Sequence, residues 1–189
     1  MKAVRCHALG HASNLKVEEI EDPTPGKGEV LIDVKAGGLN FPDVLMVAGK
    51  YQFQPDLPFT PGGEGAGVVA ELGEGVTNVK VGDRVIFFNQ QGAFAEKAVA
   101  PAMTLVPMPD SMPFEVAAGF TITYATSYHA LKQRADIQPG ETLLVLGAAG
   151  GVGLATVELG KAMGATVIAA ASTDEKLEFC KNAGADHLI

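Results

Sequence analysis

The sequence predicts two architectures in series: a mainly β unit, folded as an antiparallel barrel or sandwich, and then an α/β unit with a parallel sheet. Three observations carry this expectation. Before Pro107, β-type runs alternate with clusters rich in Pro and Gly, the pattern of short antiparallel strands. After Pro107 the apolar spacing becomes helical. From Glu141 onward the order is strand, helix, strand, helix, strand, and a βαβαβ order calls for parallel pairing with right-handed crossovers.

The early strands are KAVRCHAL, LKVEEIE, EVLIDVKAG, GAGVVAELG, DRVIFF and FAEKAVA. Between them come DPTPGKGE, PDLPFTPGGEG and VKVGD, where Pro fixes φ and Gly supplies conformations that other residues resist. One helix interrupts the strands: Asn40 or Phe41 caps it, Pro42 takes its first turn and Gly49 stops it. PDSMPFEVAAGF and TYATSYHALKQRADI then carry helical spacing, and Pro139-Gly140 turns the chain into a new strand. The expected division is residues 1–123 and residues 124–189. In the second part ETLLVLG, TVIAAAS and DHLI are strands, separated by helices GVGLATVELGKAMG and TDEKLEFCKNAG. There is no internal repeat and no low-complexity segment.

Composition excludes several function classes. At 189 residues with 47% hydrophobic and 19% charged residues, the chain buries a sizeable core and is not of disordered type. A net charge of −8 without a basic cluster disfavours nucleic acid, whose phosphates require grouped Lys and Arg. Cys6 and Cys180 are the only cysteines; neither a disulfide framework nor a cysteine-rich zinc site is supported, and a reducing cytoplasm fits best. MKAVRCHALGHASN lacks the apolar core of a signal peptide, and no long uncharged apolar run suggests a membrane span.

The most informative stretch is LVLGAAGGVGLATVELGKAMGA, Leu144 to Ala165. Small residues after a buried strand and before a helix let the backbone approach a pyrophosphate, whose charge is favoured by free N–H groups at the helix start. Aligned with the GxGxxG fingerprint, the positions are Ala148, Gly150 and Gly153, so the first glycine is replaced. The candidate cofactor-binding residues here are Ala149, Gly150, Gly151, Val152 and Gly153; the alternative is a small-residue helix–sheet contact. An NAD site usually adds Asp or Glu about 20 residues later. That region reads Ala171, Ser172, Thr173, with Lys176 one turn on. Two hydroxyls and an amine in place of a carboxylate suit the extra phosphate of NADP. Asp174 and Glu175 leave a ribose contact open, and Ser172 or Thr173 has the alternative of capping the next helix.

GGLNFPDVLMVAGKY, PGGEGAGVV, VKVGDRV, FTITYATSYHAL and GAAGGVGLATVELGKAMGA together resemble the medium-chain dehydrogenase/reductase superfamily. Its zinc-independent quinone oxidoreductase branch is the nearest match, over essentially the whole chain. The resemblance implies a GroES-like β-barrel catalytic domain followed by a Rossmann domain. Zinc alcohol dehydrogenases of the superfamily carry a catalytic Cys where Asn40 stands and Gly-His-Glu where this chain has Gly62-Gly63-Glu64. Zinc needs about three Cys, His or carboxylate ligands, so no zinc is expected. His7, His11, His129 and His187 are scattered along the sequence.

Without a Lewis acid, an electron-poor quinone or enone is an easier hydride acceptor than an alcohol is a donor. The resemblance therefore implies hydride transfer from NADPH to a quinone or related α,β-unsaturated carbonyl, the protein mainly aligning the reactants. By motif position, Asn40 and Asp43 are expected near the nicotinamide, Tyr51 on the substrate wall, and Thr126 beside the nicotinamide. Their bland alternatives are helix caps for Asn40 and Asp43, loop packing for Tyr51 and backbone bonding for Thr126. Glu64 reads as structural.

A complete Rossmann fold has two βαβαβ halves, and Glu141 to Ile189 supplies only the first. The expectation is an N-terminal portion of a longer reductase, its Rossmann domain incomplete. Two other readings stay open: an enoyl-thioester reductase of the same superfamily, and a non-catalytic module that binds nucleotide or self-associates. A homodimer is a further expectation.

Overall fold

The computed structural model describes Met1–Ile189, which divides into two compact units, Met1–Thr121 and Ile122–Ile189.

The first unit is built on a five-stranded antiparallel sheet. In chain order its strands are β3 (Glu29–Gly38), β4 (Glu64–Leu72), β5 (Arg84–Phe88), β6 (Lys97–Pro101) and β7 (Val106–Pro107), arranged β6-β3-β4-β5-β7. β1 (Lys2–Cys6) and β2 (Leu15–Glu19) form a separate antiparallel pair. It is joined to the rest through bridges from Ala3 to Ala95 and from Cys6 to Phe59. Alternation along β3, β4 and β5 turns Val30, Ile32, Val69, Val85 and Phe87 into one buried core. β4 is bonded on both sides, and Gly67 lets it lie against β3, since a Cβ there would come within 2.7 Å of Ile32 Cγ2.

FAEKAVA is only partly a strand. Val4 donates its N–H to Phe94 O, and Phe94 donates its own to Pro61 O, so the backbone there serves β1 and the Pro61 loop before β6 begins at Lys97. The expected helix in the middle of the unit is α1 (Phe41–Val47), with Asn40 at its N-cap, Pro42 in the first turn and Gly49 at φ +68° just beyond its end. PDSMPFEVAAGF is helical only as α2 (Phe114–Ala118), which Pro113 starts.

In the second unit, α3 (Thr121–Tyr128) runs into six residues of π-helical spacing, His129–Arg134. Ala135 there donates to Ala130 O, while Leu131 and Ile137 are both buried in the unit's core. Three parallel strands follow, β8 (Thr142–Leu146), β9 (Thr166–Ala170) and β10 (His187–Leu188), in the order β10-β9-β8. Helices α4 (Gly151–Ala162) and α5 (Asp174–Asn182) connect them. Val145, Val157, Val167, Ala169 and Cys180 fill the space between sheet and helices. The Asp186 carboxylate clasps this unit, accepting from Lys161 Nζ on α4 and from the Val167 N–H on β9, both at 2.7 Å. Those two bonds, Lys161 first, hold its pKa below the ordinary carboxylate value. No helix is long and apolar enough to cross a membrane.

Candidate functional site

In the first unit a polar cluster forms where α1 starts. Asp43 is 3% exposed. Its Oδ2 accepts the Asn40 N–H at 2.8 Å and its Oδ1 the Gly63 N–H at 3.0 Å. One carboxylate thus ties the first turn of α1 to the loop entering β4. Burial pushes the Asp43 carboxyl above its ordinary value, against the opposing pull of backbone N–H groups at Asn40, Gly63 and Gly62. Beside it the Asn40 side-chain amide donates to Glu64 Oε1 at 2.9 Å. Glu64 is fully buried at the start of β4, directly opposite Gly38 of β3. A side chain at Gly38 would meet Glu64 Cγ at 2.9 Å, so that glycine keeps room for the carboxylate.

This donor set does not fit zinc. A catalytic zinc takes about three protein ligands of Cys, His or carboxylate type. Here Asn40 presents an amide whose N–H is given to Glu64, Asp43 is engaged by two backbone N–H groups, and no three His, Cys, Asp or Glu side chains converge. Tyr51 is half-buried against Cys6, Met46, Val47 and Phe59, a packing contact.

In the second unit the glycine-rich stretch forms the turn between β8 and α4. Gly147 follows β8 at φ +61°, a left-handed conformation that glycine adopts without a Cβ penalty. The turn role assigned by the fingerprint to Ala148 therefore falls one residue earlier. Ala148 is buried and donates its N–H to Ala170 O at 3.0 Å, fixing the turn to the end of β9. Gly150 caps α4, and Gly151, Val152 and Gly153 form its first turn, where backbone N–H groups lack partners within the helix. A Cβ on Gly153 would lie 2.5 Å from Gly147 O and 2.8 Å from Ala148 Cα. Gly151 faces a different neighbour, Thr123 Cγ2, at 3.2 Å from such a Cβ.

Beside this turn, at the carboxyl ends of β8 and β9, lies a cavity of about 670 Å³ lined by Gly147, Ala149, Gly150, Ser172 and Lys176 among others. Its volume suits a nucleotide portion of a cofactor, and its place at strand carboxyl ends is where open α/β sheets bind ligands. Lys176 Nζ lies 3.1 Å from Ser172 Oγ, and no acidic side chain lines the cavity. Gly151, Val152, Gly153 and Thr173 lie outside its lining. Thr173 is the N-cap of α5, its hydroxyl accepting the Lys176 N–H at 3.3 Å, with Asp174 and Glu175 in the first turn. There the two carboxylates complement the helix dipole. The cavity, with Ser172 and Lys176 on its wall beside the open start of α4, fits a nucleotide portion of a dinucleotide.

Thr126 is exposed on α3. Its neighbour Ser127 is 1% exposed, and its Oγ lies 3.0 Å from Val152 O and 2.9 Å from Thr156 Oγ1. Tyr124 also reaches α4, donating to the Glu158 carboxylate. That bond, with burial and the Glu158 charge behind it, raises the Tyr124 pKa to about 12. None of these α3–α4 contacts is apparent in the sequence, because Ser127 and Thr156 are 29 residues apart and carry no motif.

Residues 26–110 match the alcohol dehydrogenase GroES-like domain and residues 151–189 the zinc-binding dehydrogenase domain. The chain is 41% identical over 190 residues to a quinone oxidoreductase-like protein 2 homolog of Nematostella vectensis, covering 100% of this chain and 52% of the relative. It therefore spans about half the length of that curated relative. A probable oxidoreductase from Mycobacterium abscessus superposes with a TM-score of 0.94 at 41% identity, over 100% of this chain and 60% of the other. The Escherichia coli quinone oxidoreductase crystallised with NADPH gives a TM-score of 0.94 at 33% identity, over 100% and 58%.

Proposed function

The chain belongs to the medium-chain dehydrogenase/reductase superfamily, and from that premise we propose that it carries the β unit and the adenosine-binding half of an NADPH-dependent oxidoreductase acting on a quinone or related α,β-unsaturated carbonyl, without zinc. The observation that carries this reading is the cavity beside the Gly147–Gly153 turn, with Lys176 and Ser172 on its wall and no acidic side chain. A carboxylate there would hold the ribose hydroxyls of NAD. An ammonium and a hydroxyl instead suit a 2′-phosphate. The NADPH complex of the Escherichia coli relative is in keeping with this choice.

When bound, NADPH supplies the hydride. The chain's own residues do the rest. The N–H groups of Gly151, Val152 and Gly153 face the pyrophosphate charge. Lys176 and Ser172 select the phosphorylated ribose. Asn40, held between the Asp43 clasp and Glu64, offers an amide at the start of α1, and Thr126 an exposed hydroxyl on α3. Tyr51, half-buried against Met46 and Val47 of α1, is assigned to the wall of the acceptor pocket. Buried Asp43, raised in pKa, acts through Asn40 by position. Cys6 and Cys180 are both buried and free.

The test is titration of wild-type and Lys176→Ala chains with NADPH and NADH. Loss of one charge-assisted contact to phosphate should weaken NADPH roughly tenfold or more and leave NADH within about twofold. Equal NADPH affinity in both chains would remove Lys176 from the site and with it the preference for NADP.

A further inference from the structure

The cofactor helix α4 is buttressed at its first turn by the preceding helix, through groups that contact no cofactor in the reading above. Ser127 is buried on α3, and its Oγ lies 3.0 Å from the carbonyl of Val152, in the first turn of α4. Thr156, one turn further along α4, places Oγ1 2.9 Å from Ser127 Oγ and 2.7 Å from the same carbonyl. Two hydroxyls, one from each helix, thus converge on one carbonyl.

We propose that Ser127 and Thr156 are positioning residues that aim the Gly153 N–H at the cofactor's pyrophosphate. The peptide between Val152 and Gly153 is planar and trans, so its C=O and N–H point in opposite directions. Ser127 Oγ also lies 2.9 Å from Thr123 O of its own helix. With Ser127 donating to Thr156 and Thr156 to Val152 O, or Thr156 donating to Ser127 and Ser127 to Val152 O in place of Thr123 O, the carbonyl is held toward α3 and the α4 interior. The Gly153 N–H is thereby fixed facing the helix start. Gly153 has little room to compensate, because the space where a Cβ would stand is already bounded by Gly147 O and Ala148 Cα. The same pair sets α3 against α4, with Thr123 packed at Gly151, and so fixes Thr126 relative to the turn that holds the pyrophosphate. A donor aimed in advance needs no reorganisation on binding. This inference rests on the proposed NADPH site.

The test uses the 189-residue chain as wild type, Thr156→Val and Thr156→Ser. Valine keeps the shape and removes the hydroxyl; serine keeps the hydroxyl. NADPH affinity by isothermal titration should fall about tenfold in Thr156→Val, the worth of roughly one hydrogen bond, and return to within about twofold of wild type in Thr156→Ser. In parallel, the Gly153 amide resonance should move downfield on NADPH addition in wild type and Thr156→Ser and move less in Thr156→Val. Unchanged affinity and an unchanged Gly153 shift in Thr156→Val would overturn the proposal. So would equal weakening in Thr156→Ser and Thr156→Val, which would mean packing rather than aim. A wild-type chain that binds no NADPH would overturn the cofactor reading itself, a result distinguishable from either of these.

Discussion

Gly153→Ala is expected to weaken NADPH binding roughly a hundredfold, equivalent to about 2.7 kcal/mol, and to destabilise the second unit by about 2 kcal/mol. A methyl group at this position would lie 2.5 Å from Gly147 O and 2.8 Å from Ala148 Cα. Both are backbone atoms, so neither can rotate aside. Ala148 is fixed by its N–H bond to Ala170 O, and the turn cannot yield without breaking the link to β9. The start of α4 must therefore lift from the turn, carrying its free N–H groups away from the pyrophosphate. Titration calorimetry and thermal unfolding measure the two effects. Gly151→Ala is the internal comparison, since its methyl would meet only one side-chain atom, Thr123 Cγ2, at 3.2 Å and should cost distinctly less. Equal effects from the two variants would show that the close approach of Gly153 to the turn is not what shapes the site.

Asp43→Asn should destabilise the first unit by about 2 kcal/mol and misplace Asn40 at the start of α1. Each Asp43 oxygen accepts a backbone N–H, one from Asn40 and one from Gly63. An amide has one acceptor oxygen, so its NH₂ would face a donor. The pH dependence has an unusual sign. Because burial raises the Asp43 pKa above 3.8, the folded chain holds this proton more tightly than the unfolded chain does. Asp43's contribution to stability is therefore greatest below 3.8 and declines as pH rises through the window up to its folded value, above which it is constant. Asp186 has the opposite sign, its lowered pKa giving stability above 3.8 that is lost as pH falls through its folded value. Subtracting the unfolding free energies of Asp43→Asn from those of wild type across that range isolates the first term. A difference that rose with pH would contradict the assignment.

The two-part order, the helix starting at Asn40 and the βαβαβ run were legible because each rests on local signals: Pro and Gly placement, period-two and helical spacing, and small residues after an apolar strand. The fold class and the family follow from those same motifs. Long-range pairing was not legible. Phe94–Glu96 looks like strand by composition, yet its backbone is divided between β1 and the Pro61 loop. Gly147 does not stand out as the turn residue in the sequence, because the fingerprint fixes spacing, whereas the left-handed turn depends on where β8 ends. At Thr173 the hydroxyl reads equally as phosphate ligand or helix cap, and three-dimensional placement reveals the cap. Ser127 and Thr156 carry no sequence signal, since ordinary helix residues become a pair only when α3 and α4 pack.

The most direct measurement is isothermal titration of the 189-residue chain with NADPH and then with NADH. One site per chain that prefers NADPH by roughly tenfold, the worth of one phosphate contact, is the expected result. No NADPH binding, or a preference for NADH, would contradict the assignment of the Gly147–Gly153 turn and Lys176 as an NADP site.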